Sequence, residues 1–173
     1  LAPYQFFVTN CGHGHFTVAW VSYDPTKDHI FDKVYIYDSL RRSKRTTQVE
    51  KPKKNETTGQ LLQELQKFLH HYCLFGTRHK HTLAENTDLI IQRAVYVDCP
   101  QQTNLHDCGL FALGTLLHLL HGYCTLDLGD AFKPSHITSL RMGLYEKLTS
   151  KSEISYEFLS SFFPRLSNSV TSV

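Results

Sequence analysis

Apolar and polar positions along this chain fall into runs whose periods predict a succession of strands, helices and polar connections. The run from His15 to Tyr23 is β-branched and aromatic with no internal Gly or Pro, which predicts a strand. Period two sets His15, Thr17 and Ala19 on one of its faces. A turn-rich Asp24 to Asp28 follows, and Lys33 to Asp38 reads as a second strand, the antiparallel hairpin partner of the first. That pairing carries Asp38 toward His15. Residues 39–55 turn polar and basic around Pro52 and read as a loop.

Between Thr58 and Phe75 the apolar positions Leu61, Leu62, Leu65, Phe68, Leu69 and Tyr72 have helical spacing. After a polar loop around Arg78 to Asp88, Arg93 to Asp98 reads as a strand that stops at Cys99 and Pro100. The next stretch, from Cys99 to Leu120, is divided: a polar run with two glutamines gives way at Cys108 to a helix-length apolar run. Ser135 suits the N-cap of a further helix with Ile137, Leu140, Leu144, Tyr145 and Leu148 on its apolar stripe. A shorter aromatic helix is expected between Ile154 and Phe163. The fold class expected from this order is α+β, with one domain over residues 1–173.

Composition changes this picture little. With 173 residues, 41% hydrophobic and 20% charged, the chain has the make-up of one globular domain. A formal charge of +2 is too small to imply a nucleic-acid or membrane partner. Cys11, Cys73, Cys99, Cys108 and Cys124 are odd in number and lack the regular spacing of a disulfide framework. Reduced cysteines and an intracellular setting, nucleus or cytoplasm, are therefore expected. The apolar run from Gly109 to Leu120 is shorter than the roughly 20 residues a bilayer needs, so no membrane role is expected. No signal sequence is legible, and the chain begins at Leu1, which predicts a piece of a longer protein.

The chemistry concentrates at Cys108. A thiol attacks as its thiolate, and the unpaired N–H groups at a helix start favour negative charge. Asp107 is itself a favourable residue at a helix start, and Gly109 permits close approach of a substrate carbonyl. A cysteine hydrolase also needs a base, a group to orient it and donors for the oxyanion. His15, Asp38 and the pair Gln101 and Gln102 are the candidates for these roles.

The order His, Asp, Gln, Cys, with His15-Phe16, the Tyr-Asp-Ser-Leu segment of residues 37–40, and Cys-Pro-Gln-Gln-Thr-Asn-Leu-His-Asp-Cys-Gly over 99–109, resembles the ubiquitin-like-protein proteases. These are the SUMO- or sentrin-specific cysteine peptidases, more distantly similar to the adenoviral protease. The resemblance implies a papain-like or adenain-like fold, a mixed or antiparallel sheet flanked by helices with the nucleophile at a helix N-terminus. It assigns Cys108 as nucleophile, His15 as general base and later acid, Asp38 as its orienting carboxylate and Gln102 as oxyanion donor, with Gln101 the second choice. Phe16, Gln101, Asp107 and Gly109 fall to substrate binding. The implied reaction is hydrolysis after the C-terminal Gly-Gly of SUMO or a related modifier, and its partners are that modifier and its conjugates. No metal or organic cofactor is implied.

The chain departs from the family pattern in three respects, one being a gap from His15 to Asp38 longer than the family's typical hairpin. Phe16 stands where Trp usually follows the catalytic His, keeping an apolar wall without the indole N–H. Only fourteen residues precede His15, so the domain is expected to be incomplete at its N-terminal side, and Trp20, its only tryptophan, lies after that position. An inactive modifier-binding module is therefore the alternative function. The basic residues 41–54 form a possible nucleic-acid patch, but no aromatics interleave to stack on bases, and a solvated loop is expected. The groups Cys11, His13 and His15, His79 and His81, and His118 and His121 with Cys124 lack structural-zinc spacing. The last group is expected to form a polar edge on the nucleophile helix.

Overall fold

The computed structural model describes residues 4–10, 14–22, 33–40, 63, 65, 67, 94–121, 128–129 and 131–163. Its sheet is built around the strand that the β-branched run predicts. β1 (Tyr4–Asn10), β2 (Phe16–Ser22), β3 (Lys33–Tyr37) and β4 (Ala94–Tyr96) are hydrogen-bonded in that order. β2 pairs antiparallel with β1 and with β3, the latter ladder ending at Val18 opposite Tyr37. β4 pairs parallel with β3, so the sheet is mixed. β1 was not anticipated from the sequence.

Residues Thr17 to Val21 are all buried, so both faces of β2 are covered and the alternation expected of a half-exposed strand is lost. Phe6, Trp20 and Tyr35 are cross-strand neighbours on β1, β2 and β3. Their rings meet, stacked with centroids 6.3 Å apart for Phe6 and Trp20 and tilted at 4.8 Å for Trp20 and Tyr35. Such pairs are the unit of sheet stabilisation. Trp20 is thus a sheet residue.

The helices are α1 (Cys108–Leu120), α2 (Pro134–Thr149) and the short α3 (Tyr156–Ser160). The chain divides into two compact units, residues 1–37 with 44–97, and residues 38–43 with 98–173. The sheet lies in the first and these three helices in the second.

α1 is buried along most of its circumference, through Phe111, Ala112, Thr115, Leu117 and Leu119. Its Gly114 is a point of close approach: a Cβ there would sit 3.0 Å from Phe132 Cζ and 3.1 Å from Phe163 Cζ. His118, expected at a polar edge, is 1% exposed. Its Nδ1 bonds the Gly114 carbonyl at 2.7 Å, and its ring packs 5.3 Å from those of Phe132 and Phe163. A backbone acceptor inside the helix and two aromatic rings make the imidazole a core residue, which corrects that expectation. His121 instead bonds the Tyr156 hydroxyl at 2.6 Å and stacks on its ring.

α2 starts two residues earlier than a Ser135 cap would require. Pro134 occupies the first turn, where its fixed φ and missing N–H cost nothing, and Lys133 becomes the N-cap. The Lys133 N–H donates to His136 Nδ1 at 3.2 Å. Ile137 and Leu140 are buried as expected, but Tyr145 and Leu148 are exposed. The second half of α2 meets the following aromatic segment through another face. A Cβ on Gly143 would lie within van der Waals radii of the Phe162 ring, and Lys147 Nζ sits 5.1 Å over Phe158. α3 is shorter than the stretch from Ile154 to Phe163, with Ser155 as N-cap accepting the Phe158 N–H at 3.2 Å.

Gln63, Leu65 and Lys67 are helical, with Leu65 buried. The rest of the helix expected over Thr58 to Phe75, the basic residues 41–54, and Cys11, His13, Cys73, His79, His81 and Cys124 lie outside the described residues. Among the described residues, no helix is long and apolar enough to cross a membrane.

Candidate active site

Parallel pairing of β3 with β4 decides which loops meet. Strands that run parallel leave a sheet at the same end, so the exits after Tyr37 and after Tyr96 emerge side by side. The Gln102 N–H donates to the Ser39 carbonyl at 2.9 Å, and Gln101 Nε2 donates to the Asp38 carbonyl at 3.2 Å. Two segments far apart in sequence become one loop cluster in the second unit.

Asp38 opens an Asx turn, its Oδ1 accepting the Leu40 N–H at 3.0 Å. That bond holds the carboxylate in a fixed direction. Gln101 is turned into its own loop: Nε2 also donates to the Cys99 carbonyl at 2.9 Å and toward Cys99 Sγ at 3.6 Å. Gln102 faces differently. Its Oε1 accepts the Ser39 hydroxyl at 2.7 Å, and its Nε2 donates to the Asn104 carbonyl. An amide nitrogen carries two hydrogens, so this arrangement fixes the amide plane while using one of them.

Cys108 is the first residue of α1 and is buried. Among the described residues neither Cys99 nor Cys108 is in a disulfide. Asp107 occupies the N-cap position but makes no side-chain capping bond, contrary to the expectation for an acidic residue at a helix start. Its carboxylate is taken elsewhere: Oδ2 accepts Asn104 Nδ2 at 2.7 Å, and Oδ1 pairs with Arg141 on α2. Asp107 is buried and committed to these two partners. Gly109 is the second residue of α1 and half-buried.

His15 and Phe16 belong to the first unit, at the start of β2. His15 is buried, and Phe16 is 36% exposed, an apolar ring open to solvent. Gly14 before them has φ +74, a conformation that side chains resist, so the turn into β2 sets where His15 begins. Sequence reasoning assigned no role to Ser39, Asn104 or Arg141. The first two stand inside the quoted motifs; Arg141 carries no local signal.

The second cysteine of the loop cluster behaves differently from a nucleophile. Burial pushes the Cys99 thiol well above its ordinary range, and the carboxylates of Asp38 and Asp98 push it further. The folded Cys99 therefore keeps its proton above about pH 8.5, where an unfolded cysteine loses it. The unfolded state then binds fewer protons, so this group makes stability fall as pH rises. Cys99→Ala is expected to flatten the decline in Tm between about pH 8 and pH 10.5; an unchanged slope in thermal melts contradicts the burial account.

The arrangement offers a thiol at a helix start, an oriented carboxylate and an oriented amide donor in one unit, and a buried imidazole at a strand start in the other. A family model described as the Ulp1 protease family, C-terminal catalytic domain, matches residues 5–154. Similar solved structures include the SUMO protease Ulp1 with its catalytic cysteine oxidised to a sulfenic acid, at 21% identity and a TM-score of 0.44. Another is the same protease with that cysteine oxidised to a sulfonic acid, at 20% identity and a TM-score of 0.45. Each match covers 73% of this chain and 45% of the solved chain. No curated protein matches the sequence.

Proposed function

The chain belongs to the Ulp1 protease family, matching its C-terminal catalytic domain, and on that premise we propose that it is a cysteine peptidase acting on SUMO or a related ubiquitin-like modifier. The bond cut is the one after the modifier's C-terminal Gly-Gly, in an isopeptide link to lysine or in a precursor tail. The observation that carries this reading is the junction at Cys108: a thiol on the first residue of α1, in the same unit as an amide donor, Gln102, whose plane is fixed by Ser39 and Asn104.

Cys108 Sγ attacks the carbonyl carbon of the terminal glycine, and its proton passes to His15. Asp38 orients the imidazole and stabilises the imidazolium. The carbonyl oxygen becomes an oxyanion that receives the remaining Gln102 N–H and the Cys108 backbone N–H, donors of the kind that contribute most when they are fixed beforehand. The C–N bond breaks as His15 returns its proton to the leaving amine, and a thioester remains. Water then attacks with His15 as base, the C–S bond breaks, and the modifier leaves with a free carboxylate. Of the two glutamines, Gln102 suits the oxyanion role, because Gln101 Nε2 is already directed at the Asp38 and Cys99 carbonyls and the Cys99 sulfur of the loop cluster itself. No observation favours the inactive binding module.

The test is a panel of modifiers carrying a C-terminal fluorogenic amide. Turnover of the SUMO member, with ubiquitin slower or inert, is the expected result; no turnover of any member by protein of native fold contradicts the reading.

A further inference from the structure

An oxyanion donor is effective when its direction is set before the reaction, since a group that must reorient in the transition state gives up part of its benefit. Two neighbours set the Gln102 amide directly, Ser39 Oγ on its oxygen and the Asn104 carbonyl on its nitrogen. The Asn104 carbonyl is in turn held by what its side chain does. Oδ1 accepts the N–H groups of His106 at 3.1 Å and Asp107 at 3.0 Å. Nδ2 donates to Asp107 Oδ2 at 2.7 Å. The series ends at the buried Asp107 carboxylate, whose other oxygen pairs with Arg141 Nη2 on α2.

That last pair governs the rest. A buried carboxylate that loses its cation is left with an uncompensated charge and draws water or moves toward it. Movement of Asp107 releases Asn104 Nδ2, and with it the loop whose carbonyl receives the Gln102 amide. The Arg141 side chain is 43% exposed, so it does not fill the core; its planar guanidinium is a directional donor.

We propose that Arg141 is a positioning residue for the peptidase reaction, fixing the Gln102 amide through Asp107 and Asn104. This rests on the assignment of Gln102 as oxyanion donor. The action is at a distance: Arg141 touches neither substrate nor the reacting atoms.

A double-mutant cycle on hydrolysis of the SUMO fluorogenic substrate separates the two assignments. Gln102→Ala is expected to lower kcat by about 10²- to 10³-fold, the usual effect of removing one oxyanion donor. Arg141→Met is expected to lower kcat about tenfold with KM held within about twofold, and Arg141→Lys to recover most of the loss. In the Gln102→Ala background, Arg141→Met is expected to cost nothing further, because the group it acts through is gone. Alkylation of Cys108 by iodoacetamide, a displacement at saturated carbon that forms no oxyanion, is expected to proceed at the same rate in all variants.

A full multiplicative loss in the Gln102→Ala background overturns the proposal and leaves the Gln102 assignment standing. So does slowed alkylation, which would mean that Arg141 acts on the nucleophile through Asp107. A Gln102→Ala variant with undiminished kcat overturns both. Circular dichroism checks the fold, and if Arg141→Met does not fold, the cycle is run with Arg141→Lys, with the same two outcomes at smaller amplitude.

Discussion

Replacing Cys108 by Ala is expected to reduce hydrolysis of a SUMO fluorogenic substrate to background, a loss of about 10⁴-fold or more. The size follows from the mechanism: without the sulfur there is no thioester, and only general binding and oxyanion stabilisation remain. The fold is expected to survive, since Cys108 opens α1 without any role as a disulfide, and alanine is the best residue for a helix. Unchanged thermal stability with lost turnover is the signature of a nucleophile. A variant that both loses activity and melts early marks Cys108 as a packing residue, and retained turnover removes it from the mechanism.

The largest stability effect is expected at Phe163. The ring is 0% exposed and meets Phe132 edge-on, with centroids 5.3 Å apart at 72°. It stands at 83° to the His118 imidazole, also at 5.3 Å, and lies against Gly114, where no side chain competes for the space. Phe163→Ala is expected to cost about 3–5 kcal/mol in urea unfolding, the range for a buried aromatic whose cavity cannot collapse. Phe163→Leu is expected to cost less than about 2 kcal/mol, because most of the volume is kept. A loss under about 1 kcal/mol for the alanine variant would mean that the aromatic cluster holds little of the second unit together. Phe163 lies beyond residues 5–154, the extent of the family match, so the core of this unit extends past the recognisable catalytic sequence.

The legible parts of the fold were those written in local pattern. β2 and β3 stand out because β-branched and aromatic residues run without Gly or Pro. α1 stands out because its apolar run is helix-length and begins abruptly. β1 was not legible: its seven residues become a strand by pairing with β2 from Tyr4 opposite Ser22 to Asn10 opposite Phe16, a long-range choice that local composition does not encode. Burial was misread wherever a polar residue or a glycine did the packing. His118 bonds through Nδ1 to a carbonyl of its own helix, and Gly143 makes the real contact face of α2 by admitting the Phe162 ring, which leaves Tyr145 and Leu148 outside.

The candidate site divides in the same way. Cys108, Gln102 and Asp38 were legible because they sit in motifs whose spacing is informative. Asp107 was in the motif too and stands at the N-cap, but its side chain makes no capping bond. A capping preference is local, and a buried ion pair with a residue on another helix outweighed it. Arg141 could not be found from the sequence, because nothing around it in α2 records which carboxylate it will meet.

A modifier probe bearing an electrophile at its C-terminus reports whether this chain carries a competent peptidase site with Cys108 as its nucleophile. The probe attaches only if the tail is bound and the thiol activated, and it requires no later step. Covalent capture of the SUMO probe, mapped by mass spectrometry to Cys108 and lost in His15→Ala, is the predicted result. Reversible binding of SUMO without labelling, or labelling at Cys99 in place of Cys108, would contradict it.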